Sequence, residues 1–398
     1  MRFQGQAAAV RTAEPIKTLA TRLGILALMV CLLMGCNPST DAPAEEAQAQ
    51  PAAEVAEASE IDEATQDLAD SDAAEPSSTP MQVIVYSYRP EPVIRPLLDA
   101  FSEETGIETQ LKIYPGDSLL SQYHQDPDSI AADLLVLVDA MRFQILADAN
   151  HLRPLPQAAL DYIPDGFKAR DDLWLGLGVR ARAALWKDSQ YAPAGPADLI
   201  QLAEHARVCV REGMHIYNRS FLSWLIATEG EAMAQDWAAA VYPQRQPVNG
   251  GDRAQIAALL DDSCDVALVN HYYLAMLAQQ DTDTDLLNTL TFGWQDPNTP
   301  VQTNISGIAV TRQGANAEAA DQLAAWLSRP ENAQSYAASV FELPVNWQQQ
   351  PEAVAPHVAA FSQLQPSTVF PADFADQWLP ASELLQAVVN TADAQTTP

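Results

Sequence analysis

Two unbroken apolar runs, "ADLLVLVD" (Ala132–Asp139) and "CDVALVN" (Cys264–Asn270), constrain this chain more than any other feature. A strand with water on one face alternates apolar and polar residues, whereas a strand that is apolar throughout is covered on both faces. The flanking sequence supplies the cover. "MQVIVYSY" predicts a strand, "VIRPLLDAFSEETG" a helix closed by Gly106, "IETQLKIY" a second strand and "SLLSQYHQD" a short helix. "AMRFQILADAN" is the helix after the first apolar run. The alternation returns with "RVCVR", the helical stretch "SFLSWLIATEGEAMAQDWAAAV", "RAQIAALLDD", the second apolar run and "YYLAMLAQQ". "NISGIAVT" is a late strand, and "AEAADQLAAWLSRPENAQSYAAS" supplies further helices. The fold class is α/β: two units, each a mainly parallel sheet flanked by helices.

This pattern begins only near Met81. At the start of the chain, Arg2, Arg11, Lys17 and Arg22 precede "LGILALMVCLLMGC". A basic segment, a short apolar stretch and a small residue make the pattern of a secretory signal, too short for a comfortable membrane span. Residues 1–36 are read as that signal. The "LMGC" ending resembles a bacterial lipobox, which makes Cys36 the expected lipidated residue; the alternative is an uncleaved anchor helix. Both leave the rest of the chain exported and tethered to a membrane. Residues 37–80 hold twelve acids, no Lys or Arg and no aromatic residue. Such a segment buries too little apolar surface to offset chain entropy, and a disordered stalk is expected.

The whole chain carries a formal charge of −31. Without the signal's four basic residues and one acid, and without the stalk's twelve acids, the body keeps about −22. Such a surface repels nucleic acid and anionic lipid, so no nucleic-acid partner is expected. Of four cysteines, Cys31 and Cys36 belong to the signal region. Cys209 and Cys264 remain, and an even pair in an oxidising compartment reads as a disulfide. It would clamp the strands "RVCV" and "CDVALVN" side by side.

The stretch after each of those strands carries tyrosine. Tyr272 and Tyr273 are adjacent where "VALVN" gives way to "LAMLAQQ", and Tyr217 stands in "REGMHIYNRS". Neighbouring side chains diverge on a strand and on a helix alike, so a tyrosine pair converges only where the backbone turns. Ligands of open α/β sheets gather at such strand ends. Asn270 or His271 is placed to cap the following helix. A free phenol ionises near pH ~10, so only a strongly acidic cation displaces its proton at neutral pH. Tyrosinate is a hard oxygen ligand, suited to Fe(III). The spacing also fits ordinary half-buried corner tyrosines. His215 and His271 would equally suit Zn(II) with a carboxylate. No G-x-S-x-G, H-E-x-x-H or phosphate-cradling loop marks an enzyme; "GGDR" (Gly250–Arg253) reads as a turn before a helix.

Taken in order, "VYSYRPEPVIRPLLDAFSEETGIE", "ADLLVLVDAMRFQILADANHLRPL", "VCVREGMHIYNRSFLSWLIATEGEAMAQDWA", "GGDRAQIAALLDDSCDVALVNHYYLAML" and "NISGIAVT" resemble the bacterial periplasmic ferric-ion-binding proteins. The resemblance runs from about Met81 to beyond Trp347. It implies a two-lobed periplasmic-binding-protein fold (type II-like) and a substrate-binding component of an ABC iron importer, a monomer and not an enzyme. It also implies that Tyr217, Tyr272 and Tyr273 bind Fe(III). The first lobe departs from the pattern. Members often carry a His, sometimes followed by a Tyr, where this chain has Pro90 and Glu91. Glu91 and Tyr88 are substitutes of the right chemistry, and Val138 or Asp139 occupies the region of an acidic ligand found in some members. Arg180 and Arg182 match a segment that crosses between lobes. With Arg89, they are candidates to hold a synergistic anion such as carbonate.

On this reading residues 81–181 and 307–398 form lobe 1 and residues 182–306 lobe 2. The hinge falls near Gly178–Ala183 and Asn304–Ile308. Partners are the importer's permease and ATPase, with a lipid anchor on the periplasmic side of the envelope. The competing readings are a receptor for zinc or manganese and one for an organic cation such as a polyamine.

Overall fold

The structure is a computed structural model. It describes residues 81–396 apart from 115–117, 127–128, 247, 249 and 281–283. The signal, Cys36 and the acidic stalk lie outside the described residues.

The first half follows the predicted order: β1 (Gln82–Ser87), α1 (Glu91–Thr105), β2 (Glu108–Ile113), α2 (Ser118–Gln125), β3 (Leu134–Val138) and α3 (Ala140–Asp148). Helix α1 buries Ile94, Leu97, Leu98 and Phe101, one stripe at helical spacing. Gly106 ends it at φ 75°, a left-handed turn that lets its N–H reach the Ser102 carbonyl. All five residues of β3 are buried, as its apolar run requires.

Short β4 (Leu152–Arg153) and α4 (Gln157–Leu160) lead into the twelve-residue β5 (Leu175–Trp186), buried along its whole length. The second half holds α5 (Asp198–Leu202), β6 (Val208–Cys209), α6 (Ile216–Glu229), α7 (Glu231–Gln244), α8 (Asp252–Leu260), β7 (Val266–Asn270), α9 (Tyr272–Gln279), α10 (Thr284–Leu287) and β8 (Thr291–Gly293). The helical stretch "SFLSWLIATEGEAMAQDWAAAV" forms two helices. Gly230 adopts φ 90° and ψ 164°, far from helical geometry, and separates α6 from α7. The chain returns along β9 (Gln302–Thr311), then α11 (Ala317–Leu327), α12 (Pro330–Ser339), β10 (Leu343–Pro344), α13 (Pro371–Phe374) and α14 (Trp378–Thr396).

The main sheet path is β2-β1-β3-β9-β5-β7-β6. Its two ends are parallel, β2-β1-β3 in the first half and β7-β6 in the second. Between them β9 and β5 run antiparallel to their neighbours and to each other, so two long strands serve both halves. They pair from Leu175 opposite Ile308 to Arg182 opposite Gln302, with a register shift between Gly176 and Gly178. The backbones approach so closely that a Cβ on Gly307 would lie 1.9 Å from the Leu175 carbonyl oxygen. Only glycine fits there.

The end of the chain crosses over. From α13 onward it packs against α6, and α14 also lies on α7. This stretch, grouped above with the first lobe, lies on helices of the second half and also touches α3 of the first. Among the described residues no helix is long and apolar enough to cross a membrane.

Candidate metal centre

Two corners of the second half carry the tyrosines. Strand β7 ends at Asn270, His271 turns the chain, and Tyr272 and Tyr273 are the first two residues of α9. His271 stands at the cap position of α9 but makes no side-chain cap, because its Nδ1 accepts the Ala181 N–H at 2.9 Å. At the other corner His215 does cap α6: its Nδ1 accepts the Tyr217 N–H at 3.2 Å. All three tyrosines thus stand in the first turn of a helix, where free N–H groups favour negative charge.

The corners meet. Tyr217 Oη and Tyr272 Oη share a hydrogen bond of 2.9 Å, and the rings of Tyr272 and Tyr273 lie 4.2 Å apart, tilted by 32°. Tyr272 is buried, while Tyr217 and Tyr273 are half-buried. Beneath them Cys209 and Cys264 form the expected disulfide, with Cα atoms 6.1 Å apart. It clamps the parallel pair β6–β7, in which Cys209 lies opposite Ala267.

Burial raises the Tyr272 hydroxyl well above its usual pKa, and the neighbouring Tyr217, Tyr273 and Asp252 push the same way. Burial, then Tyr217 and Asp252, pushes Tyr273 up to about 12. Both keep their protons at neutral pH until something stronger than water's proton demand removes them. The histidines are disfavoured as cations. Burial and then Arg211 bring His215 down to about 2; burial alone accounts for most of the fall of His271 to about 4.

Guanidinium groups surround the phenols. Arg180, Arg211 and Arg182 lie 5.2, 5.4 and 5.7 Å from the centre of the Tyr217 ring. Arg180 is already engaged, with Asp139 at 2.9 Å and the Ile305 carbonyl at 2.7 Å. Arg182 and Arg211 share one carboxylate, Asp252, at 3.1 and 3.3 Å. The buried Nε and Nη2 of Arg182 have no hydrogen-bond partner among the described residues. Of the three arginines expected to hold an anion, Arg182 has two buried donors to spare. Arg89 is occupied by Glu342 at 2.6 Å and by the Tyr336 hydroxyl at 3.1 Å.

The first-half candidates sit differently. Glu91, suggested as a carboxylate ligand, is the exposed first residue of α1 and pairs with Arg95 at 3.2 Å. A solvent-facing i,i+4 pair explains it without a metal. Tyr88 is half-buried, its ring 4.8 Å from the Arg142 guanidinium. Val138 ends β3, and Asp139 is buried and ion-paired, a structural carboxylate. For the zinc alternative, no group of three or more His, Cys, Asp or Glu gathers among the described residues.

Sequence reasoning passed over Asp252, Arg211 and Glu342. Asp252 opens α8 inside the "GGDR" turn, is fully buried, and also accepts the Asn270 N–H at 2.9 Å, tying α8 to the tyrosine corner. An acid at a helix start is ordinary capping chemistry, and nothing local marks it as buried. Glu342 is buried where α12 meets β10, bonded to Arg89 and to Ser306.

No protein-family profile matches the chain. Among characterised sequences, an iron uptake protein A1 of Synechocystis is 27% identical over 274 residues, 66% of this chain and 76% of that protein. Among solved structures, a Trichodesmium protein in complex with iron and citrate superposes with a TM-score of 0.69 at 25% identity. It is matched over 77% of this chain and 99% of its own. A Bordetella ferric binding protein gives 0.66 at 27% identity, over 77% and 98% of the two chains. The chain is similar in sequence and fold to periplasmic ferric-ion-binding proteins. It shares with these ferric-ion-binding proteins the two-lobed α/β fold expected from its sequence, and α5 to β8 of its second half carry the phenol cluster described above.

Proposed function

We propose that this chain is the Fe(III)-capturing component of an ABC importer, binding the ion through the phenolates of Tyr217, Tyr272 and Tyr273. The supporting observation is the 2.9 Å contact between Tyr217 Oη and Tyr272 Oη, made between corners 55 residues apart in sequence, with the tilted ring of Tyr273 alongside. Oxygen atoms this close, on helix N-terminal turns and among fixed dipoles, are arranged for a small hard cation of high charge. Three phenolates match the charge of Fe(III). The open donors of Arg182 would hold a synergistic anion such as carbonate in the remaining coordination space.

In this reading residues 81–181 and the chain after 307 form one lobe, 182–306 the other, with α14 laid back across the second. Strands β5 and β9 form the hinge, and the tight approach at Gly307 keeps the crossing narrow. Cys36 carries the lipid that holds the receptor at the periplasmic face, where it delivers iron to the permease and ATPase. A zinc or manganese receptor would gather three or more imidazole or carboxylate groups, and no such group gathers among the described residues. A polyamine receptor would place carboxylates where this site places guanidinium groups.

The test is metal analysis of protein purified from a periplasmic extract with no metal added. Iron near one equivalent, with a visible phenolate-to-iron charge-transfer band, is expected. Zinc, manganese or a colourless protein that ignores added Fe(III) would remove the assignment.

A further inference from the structure

Asp139 is bound on every side. It follows β3 and caps α3, accepting the Met141 N–H at 3.2 Å, and its own N–H donates to the Ile305 carbonyl on β9 at 2.8 Å. Its Oδ2 takes Arg180 of β5 at 2.9 Å, and its Oδ1 accepts the hydroxyl of Ser220 on α6. It is fully buried and stands at φ 91°, a conformation that strains a non-glycine residue. Strain of that kind persists only where surrounding contacts over-determine it.

The contacts show what the strain holds. Ser220 lies three residues after Tyr217, on the same face of α6. Its carbonyl also accepts the Gln302 side chain from β9 at 2.8 Å, so the face that carries Tyr217 is tied to both crossing strands and to the first half. Arg180, the other partner of Asp139, lies 5.2 Å from the Tyr217 ring centre. One carboxylate therefore reaches Tyr217 by two routes, through its helix and through the guanidinium against its ring.

We infer that Asp139 is a positioning residue, whose bridge from Ser220 to Arg180 fixes Tyr217 against Tyr272 and holds the second-half helix to the first half. This rests on the Fe(III) reading only for its ligand; the bridge itself is independent of iron. Loss of a buried hydrogen bond to a charged group corresponds to roughly a 10- to 100-fold change in equilibrium.

The measurement is the rate of iron release from the loaded full chain to a competing chelator, with the charge-transfer maximum recorded. Ser220→Ala removes the hydroxyl with little change of volume, and Asp139→Asn removes the charge. Each is expected to speed release by about 10- to 100-fold and to shift the band, and the double variant should be no faster than Asp139→Asn alone. Release from Ser220→Ala at the wild-type rate with an unmoved band, or additive effects in the double variant, would overturn the inference. Hydrogen exchange of metal-free protein covers the case in which wild type takes no iron and the iron reading fails. Ser220→Ala should then raise exchange in the first turn of α6 by about tenfold, and unchanged protection there would sink the bridge on its own.

Discussion

At the β1–α1 turn, Tyr88 lies against Arg142, Arg89 is held by Glu342 and Tyr336, and Glu91 pairs with Arg95. At the start of α6 and α9, by contrast, Tyr217, Tyr272 and Tyr273 turn to one another. Both regions lie after strands of one sheet, yet the first is furnished with groups already satisfied by protein partners and the second with oxygens that need a cation to ionise. The difference is set by where charge is compensated. At the β1–α1 turn Arg89 and Arg95 each have a carboxylate of their own, whereas in the second half Arg182 and Arg211 share Asp252. On the proposed reading the chemistry is one-sided, and the first half contributes framing more than ligands.

The largest effect that would break this contrast is loss of the tyrosine pair. Tyr272→Phe with Tyr273→Phe should weaken Fe(III) binding by more than about 100-fold, beyond the range seen for outer-shell partners, and bleach the visible band. Retained colour in a spectrophotometric titration would mean that the ligands lie elsewhere. Acidification acts in the same direction. Tyr272 and Tyr273 have raised pKa values and are protonated at neutral pH, so iron must release their protons. Affinity should therefore fall by about tenfold per pH unit for each proton released, as measured by chelator competition between pH 8 and 6.

A change in scaffold rather than ligand comes next. Cys209→Ser with Cys264→Ser should cost about 2–4 kcal/mol of stability in denaturant titrations and loosen the clamp under both corners. A smaller cost falls to His271, whose folded pKa is lowered to about 4 from an ordinary 6.5. Its contribution is present above pH 6.5 and is lost as pH falls toward 4, because the unfolded chain takes up the proton more readily. His271→Asn should flatten the decline of melting temperature across that window in metal-free protein. Smallest of all, Glu91→Gln should change iron affinity by less than about twofold, as expected of an exposed pair. A tenfold loss would restore the first half as a source of ligands.

The tyrosine corners were legible because adjacency is a geometric constraint: two neighbouring phenols converge only at a turn, and β7 does turn into α9 there. The cysteine pair was legible from compartment chemistry. The charge network was not. Arg182 and Asp252 are 70 residues apart, Arg89 and Glu342 253 apart, and the two acids look like surface residues in their own stretches. Their burial is decided by β5 and β9 passing through both halves, which local periodicity does not encode. The break at Gly230 was missed for the opposite reason, since the apolar pattern continues across it while the backbone does not.

The sharing of Asp252 between two guanidinium groups has a consequence for loading. Three neutral hydroxyls replaced by three oxyanions and one trivalent ion leave the total electrostatic sum of the cavity unchanged. The fixed ions around it need not rearrange to balance a new charge. An anion that enters beside Arg182 adds a negative charge to the cavity, and that step should weaken as ionic strength rises.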